Sequence, residues 1–397
     1  EAAEAGYDVL LVEKNPYLGG RVSQLHQYFP KLCPPNCGLE INFKRMKNNS
    51  RLRFFTMAEI SGISGQEGDY DVSIKMAPRY VNEKCTGCGK CADVCETEID
   101  NPFNFGMDKI KAAYMPQDFA FPMRYILDPS IAGTDQGKKC QDACEYGAID
   151  LGMQETSVDL KAGAIIWATG WNPYDAAKIE YYGIDEHKNV ISNVMMERMA
   201  SQNGPTGGKI VRPSDGSEVK NIAFIQCAGS RDENHLSYCS GICCLASLKQ
   251  TRYVREQYPD CEVTVFFIDI RAMDKLEDFY TMVQEDEKVR FVKSKIATIT
   301  EDEETGNLVL EGENTNTGDQ IKETFEMVVL ATGMAPNSIS EISSPDVSCD
   351  EYGFIANDPE KPGIYGAGCA RRPTDVASCV QDATASALRA IQSIARR

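Results

Sequence analysis

Positive charge is scarce in this sequence. Its 397 residues carry 41 Lys and Arg against 59 Asp and Glu, a formal net charge of −18. A field of that sign repels phosphate backbones and excludes a general nucleic-acid binder. Long apolar runs are also missing. The longest, such as residues 164–168, are a few residues, whereas a membrane span needs about 18. No long basic stripe reads as a membrane-surface helix. Histidine is rare, and His26, His187 and His235 have no paired spacing that suggests a metal site. Cysteine, in contrast, is abundant, with 16 in the chain. In a chain this long, metal or redox chemistry in a reducing, cytoplasmic compartment is a better expectation than a disulfide scaffold. The length predicts two or three domains. With 42% hydrophobic and 25% charged residues, the composition is that of a globular protein.

Residues 1–6 favour a helix that stops at Gly6. Residues 7–14 (YDVLLVEK) read as a short buried parallel strand ending in an acid, and residues 15–21 (NPYLGGR) as a turn. Helix, strand ending in Glu, then Gly-rich turn is the second half of a dinucleotide-binding βαβ unit. There the acid hydrogen-bonds a ribose hydroxyl. The GxGxxG that should precede the helix is not in the sequence, and the spacing of the unit predicts a chain truncated by about 20 residues before Glu1. Two apolar strands run into Ala-Thr-Gly, at residues 164–170 (AIIWATG, with Ala168, Thr169 and Gly170) and 328–333 (VVLATG, ending in Gly333). Residues 362–368 (PGIYGAG) are a strand entering a Gly-rich turn. They precede an N-cap at Thr374 and a helix with apolar positions Val376, Cys379, Val380, Ala383, Ala387 and Ile391.

This order resembles the two-dinucleotide-domain flavoproteins of the glutathione reductase and thioredoxin reductase family. The resemblance implies FAD. Glu13, with Lys14 beside it, would hold the adenosine ribose, and Gly19, Gly20 and Arg21 would lie along the cofactor. The ATG turns would mark the domain crossings. Gly366, Gly368, Cys369 and the helix from Val376 would approach the ribityl chain and isoalloxazine. The family usually has Asp where this chain has Cys369.

Between the ATG strands, residues 221–226 predict a strand, 243–258 a helix and 262–270 a second strand. A nicotinamide site needs a tight glycine turn after the first strand. The connection here is long, carries acids and has no GxGxxG, which predicts a dinucleotide fold without NAD(P)H.

Cys85, Cys88, Cys91 and Cys95 have C-x2-C-x2-C-x3-C spacing, that of a bacterial ferredoxin run. Cys140 and Cys144 look like the end of a second run whose first two cysteines are missing. In two-cluster ferredoxins the fourth Cys of one run serves the other run's cluster. Cys85, Cys88, Cys91 and Cys144 are therefore expected to hold one 4Fe–4S cluster, with Cys95 as the alternative fourth ligand. Cys95 and Cys140 would remain from a degenerate site. Cys33 and Cys37, just after the glycine turn, read as a redox dithiol, part of a second cluster with Cys239, Cys243 and Cys244, or a structural turn. The helix start near Cys243 would lower thiol pKa values there.

Taken together, the expected class is α/β, with two dinucleotide-binding-type domains and an inserted ferredoxin-like module. The expected segments are an FAD part at 1–79, the module at 80–155, an FAD continuation at 156–175, the second dinucleotide fold at 176–335 and a C-terminal FAD part at 336–397. The Cys-Pro-Pro-Asn-Cys segment and QCAGSRDENHLSYCSGICC resemble the A subunit of heterodisulfide reductase, and within that family the one in the quinone-interacting membrane-bound oxidoreductase complex of anaerobic sulfate reducers. The resemblance implies an FAD and iron–sulfur electron-transfer subunit that relays electrons between menaquinone and adenylylsulfate reductase. It would dock on a related flavoprotein and a haem-containing membrane subunit, peripheral to the inner face of the membrane. The alternatives are a stand-alone disulfide reductase and a heterodisulfide-reductase-like electron-bifurcating subunit.

Overall fold

The computed structural model of the chain describes residues 1–337, 347–357 and 362–395. Residues 338–346, 358–361 and 396–397 of the expected C-terminal FAD part lie outside them. Val9–Glu13 pairs in parallel with Leu52–Thr56, and Ile165–Trp167 pairs in parallel with Ile364–Gly366. Residues 1–6 form turns rather than the expected helix. They make one i→i−4 bond, from Ala5 N–H to Glu1 O (2.9 Å), before Gly6 closes onto Ala3 O. One turn fixes several dihedrals for a single hydrogen bond, so a segment this short does not propagate.

Ala58–Gln66, Asp69–Met76 and Thr156–Ala162 form a three-stranded antiparallel sheet. The chain leaves this sheet after Met76 and rejoins it at Thr156. The intervening module is built from short pieces: helices Lys90–Asp93, Pro129–Ala132 and Asp135–Asp142, and the strand pairs Glu98–Asp100 with Lys109–Lys111 and Ala113–Tyr114 with Ile126–Leu127. Its two ends meet where Val81 bridges Ile149. Asn82 N–H donates to Ala148 O (2.8 Å) and Asp150 N–H to Tyr80 O (3.0 Å).

A seven-stranded sheet forms the other large unit, in the order Val190–Ser192, Met327–Thr332, Asn221–Ala228, Glu262–Phe267, Val289–Glu301, Leu308–Asn314 and Gln320–Phe325. The first five strands are parallel and the last two antiparallel. All six residues of Met327–Thr332 are buried, as expected for an unbroken apolar run between parallel neighbours. Strands Trp171–Pro173 and Met334–Pro336, each directly after an ATG, pair antiparallel where the chain crosses between the two folds.

The C-terminal helix Val376–Ala395 corrects two expectations. Asp375, not Thr374, caps it: its carboxylate accepts the Ser378 N–H (2.9 Å), which a side chain one residue further out does not reach. The buried face is Ser386, Ala387, Ala390 and Ser393, while Val380 is 61% exposed. Small side chains let the helix approach strand Ile364–Gly366 closely. Ser386 Oγ donates to Gly366 O (2.8 Å), and Ser393 Oγ meets Tyr365 OH (2.9 Å).

Candidate redox site

Cys85, Cys88, Cys91 and Cys144 line one pocket of the inserted module, together with Val81, Tyr125, Ala148 and Ile149. Gly87 and Gly89 hold left-handed φ values of +74° and +86°, turning the backbone around the pocket in a way side chains with a Cβ rarely allow. The Ala148 N–H donates to the Cys144 sulfur (3.3 Å). Burial, with Cys140 and Cys85 nearby, pushes the Cys91 thiol up to about 12. Without a metal it stays protonated at neutral pH, whereas a metal-bound thiol is deprotonated outright.

Cys95 and Cys140 lie in the other lobe, 2% and 0% exposed, within a core of Ala112, Ala113, Leu127 and Ile131. Cys140 Sγ donates to Cys91 O (3.4 Å) and Cys95 Sγ to Thr97 O (3.5 Å). Gln136 fills the space between the two segments. Its amide donates to Val94 O (3.0 Å), and its carbonyl accepts the Glu96 N–H (3.2 Å). Burial raises the Cys140 thiol to about 11.

A second thiol group lies at the end of strand Asn221–Ala228. Cys227, Cys239, Cys243 and Cys244 are close enough to perturb one another's ionisation. Sequence reasoning left Cys227 out. Its signal is a non-glycine residue held at φ +57°, which costs backbone energy. Cys243 opens helix Cys243–Gln257, and its Sγ donates to Thr332 O (3.5 Å). The expected lowering of thiol pKa by the helix start is overturned at Cys243 and Cys244. Both are raised, with burial as the largest cause, because desolvation of the thiolate exceeds the pull of the helix dipole. Burial likewise raises Cys227, to about 11. The Gly241 N–H donates to the Cys239 sulfur (3.3 Å). Cys33 and Cys37 lie just before and within helix Asn36–Lys47. Cys33 bridges Tyr28 and contacts Lys31 O (3.8 Å), and Cys37 is exposed in the first turn of helix Asn36–Lys47.

The loop carrying these thiols folds back over its own strand end. Arg231 pairs with Asp269 (2.5 Å), Lys295 with Asp232 (3.0 Å), and Tyr174 OH with His235 Nδ1 (2.8 Å). Tyr238 OH donates to Met334 O, and Ser240 Oγ accepts the Met334 N–H, each at 2.8 Å. A Cβ on Gly333 would stand 2.2 Å from Ser230 Oγ, so the second ATG turn is pressed against this loop.

The flavin-type residues surround the two short parallel sheets. Glu13 Oε1 accepts the Asn15 N–H (2.8 Å) and side-chain amide (2.9 Å); burial raises the carboxyl despite these bonds. Lys14 is exposed and paired with Glu59 (2.9 Å). Gly19 leads into the short turn Gly20–Gln24. Arg21 bonds Asn172 Oδ1 (2.6 Å) and Gln24 Oε1 (3.0 Å) and lies against Phe105 and Trp171. Ala168, Thr169 and Gly170 follow the strand Ile165–Trp167, and Gly366, Gly368 and Cys369 follow its partner strand. Trp167 Nε1, Thr169 Oγ1, Asn337 Oδ1 and Asn357 Nδ2 are buried there without hydrogen-bond partners. Buried polar atoms of this kind are normally satisfied. Their gathering at the carboxyl ends of parallel strands fits a bound ligand with several polar groups, as FAD has.

Buried polar side chains tie the parts together. Arg198, 1% exposed, donates to Asn104 Oδ1 of the module (2.8 Å), to Gln24 O (3.4 Å) and to Asn203. Glu197 and Lys249 form a buried ion pair (3.0 Å), and Glu197 also accepts the His26 N–H (2.9 Å). Leu18 N–H donates to Phe121 O (2.8 Å), and Arg79 reaches Thr56 and Pro16, so the module abuts the glycine turn.

Comparison with known proteins adds to this geometry. A model described as a 4Fe-4S binding domain matches residues 78–99. The second iron-sulfur A subunit of CoB–CoM heterodisulfide reductase from Methanopyrus kandleri is 37% identical over 408 residues, covering 100% of this chain and 62% of that protein. The A subunit of ferredoxin/F420H2-dependent CoB–CoM heterodisulfide reductase from Methanosarcina acetivorans is 36% identical, covering 98% of this chain and 50% of that protein. Along nearly its whole length the chain is similar to the A subunits of heterodisulfide reductase. It spans between half and two thirds of the length of these relatives. Among solved structures, Lactococcus lactis thioredoxin reductase in its FR conformation superposes with a TM-score of 0.54 at 13% identity, covering 100% of this chain and 94% of that one. The α/β class follows: a thioredoxin-reductase-like pair of dinucleotide-type folds with a ferredoxin-like insertion. Among the described residues no helix is long and apolar enough to cross a membrane.

Proposed function

We propose that this chain is a member of the heterodisulfide reductase A-subunit family and an oxidoreductase component that carries electrons between a flavin and iron–sulfur clusters. The observation that carries the reading is the convergence of Cys85, Cys88, Cys91 and Cys144 on one pocket of a module packed against the flavin-type turn. These four would hold one 4Fe–4S cluster, with Cys144 rather than Cys95 as the fourth ligand. Ala148 N–H would tune its potential through the bond to Cys144.

FAD would sit on Glu13, Lys14, Gly19, Gly20 and Arg21 at one end. At the other it would reach Ala168, Thr169, Gly170, Gly366, Gly368, Cys369 and the helix start at Val376. When bound it supplies the conversion of electron pairs into single electrons. Arg21 orients the turn by joining it to the crossing strand at Asn172. Gly333 serves the crossing on the other side. The Cys227–Cys244 loop occupies the strand end where a nicotinamide dinucleotide would lie, which favours a second domain without NAD(P)H. Its four thiols, Cys227, Cys239, Cys243 and Cys244, would hold a second cluster, with Cys227 in the place expected of Cys33 and Cys37.

The relatives favour a heterodisulfide-reductase-like complex with further electron-transfer subunits. They do not support the narrower expectation of relay between menaquinone and adenylylsulfate reductase through a haem-containing membrane subunit. Anaerobic purification with iron, sulfide and flavin counted per chain tests the reading. About eight iron atoms and one FAD are expected, and Cys144→Ser and Cys243→Ser should each remove about half the iron. Iron unchanged by both substitutions would overturn it.

A further inference from the structure

Two cysteines outside both cysteine groups face each other across the C-terminal segment. Cys369, 7% exposed, lies in the turn after strand Ile364–Gly366, and Cys379, half-buried, lies in the first turns of helix Val376–Ala395. Their sulfurs are 3.5 Å apart. The turn is drawn onto the helix by several bonds. Gly368 N–H donates to Asp382 Oδ2 (2.7 Å), and Arg371 pairs with Asp382. Gly368, at φ +60°, lets the backbone come this close, since a Cβ there would stand 3.2 Å from Cys379 Sγ. A disulfide needs sulfurs about 2.05 Å apart, so closing the pair takes a shift of roughly 1.5 Å, within reach of side-chain rotation.

The two sulfurs are not equivalent. The sulfur–sulfur contact and the Cys369 N–H hold the Cys379 thiol below an ordinary cysteine, against the opposing effects of burial and of the Asp375 and Asp382 carboxylates. The same contact raises Cys369, and burial adds to it. The position near the start of a 20-residue helix also favours a thiolate.

We propose that Cys369 and Cys379 are a redox-active dithiol, which closes to an intrachain disulfide by exchange with a low-molecular-weight disulfide, Cys379 being the attacking sulfur. The Cys379 thiolate attacks one sulfur of the small disulfide, forming a mixed disulfide and releasing one thiolate. Cys369 then loses its proton and attacks Cys379 Sγ, releasing the second. The pair gives up two electrons and two protons in all, and the small disulfide leaves as two thiols. Reduction by excess thiol reverses both steps. The disulfide would fasten the turn to the helix. The proposal does not depend on flavin or on either cluster.

Anaerobic incubation of the purified holoprotein in graded ratios of oxidised to reduced glutathione tests it, followed by acid quench, alkylation and peptide mapping. With excess oxidised glutathione, alkylation should be lost at Cys369 and Cys379 together. A linked peptide two hydrogens lighter should appear, and excess reduced glutathione should remove it. In Cys369→Ser, Cys379 should carry glutathione; in Cys379→Ser, Cys369 should stay unmodified. Absence of the linked peptide at every ratio overturns the proposal. Glutathione on Cys369 of Cys379→Ser, as fast as on Cys379 of Cys369→Ser, overturns the assigned order of attack.

Discussion

The two lobes of the inserted module both carry cysteines but surround them differently. One has four cysteines around a pocket. The other keeps two, Cys95 and Cys140, sealed in an apolar core with Gln136 bonded to the backbone on either side of Cys95. The same residue type therefore plays opposite parts. A sulfur beside a pocket with a backbone N–H aimed at it, as at Cys144, is placed to ligate. A thiol with 0% exposure and only carbonyls and an amide around it is a small hydrophobe. What separates the lobes is what fills the space between the sulfurs.

Substitutions can break or sharpen this contrast. The largest difference should come from Cys144→Ser against Cys140→Ser. The first should cost the module its cluster, about four iron atoms per chain, and the second should leave the iron count unchanged. Equal iron loss from both would erase the contrast. A buried site of another kind sets the scale for stability. Glu197→Ala strands Lys249 as an unpaired buried charge and should cost about 3–5 kcal/mol in a denaturant titration.

In the filled lobe, Cys140→Ser places a hydroxyl in an apolar core and should cost about 1–3 kcal/mol. Gln136→Ala should cost about 1 kcal/mol for each of its two backbone bonds, again without loss of iron. Gain of iron on removing Gln136 would mean that the lobe is a blocked site and not a filled one.

The smallest effect concerns pH. His26 packs edge-on against Tyr253, among Glu197, Lys249, Arg198 and Glu256, and burial lowers its pKa from 6.5. In the window below 6.5 the unfolded chain binds the proton and the folded chain does not. Stability is therefore present above that value and lost as pH falls through the depressed folded pKa, by at most about 1.4 kcal/mol per pH unit. His26→Asn should flatten that acid slope, measured as the denaturant midpoint against pH.

Most of the fold was legible because it is written in short-range pattern. Apolar runs ending in Ala-Thr-Gly read as parallel strands, and C-x2-C-x2-C-x3-C read as a wrapped loop. Legibility failed where small residues did the packing. On the C-terminal helix, periodicity pointed to Val380, but the buried face is Ser386, Ala387, Ala390 and Ser393. It failed again for the buried polar ties of Arg198 and Glu197, since a charged residue in a sequence gives no sign of the depth at which it will lie.

The cysteines mark the boundary most clearly. Sequence by itself determined how many thiols there are and their spacing within each run, and it offered Cys144 and Cys95 as alternative fourth partners of the first run. All of these follow from local chain geometry. Only the tertiary structure decided that Cys144 lines the pocket of the first run, that Cys227 lies beside Cys239, Cys243 and Cys244, and that Cys369 meets Cys379. Each of those contacts is made between chain segments whose separation along the sequence carries no distance information until the sheets and helices have packed.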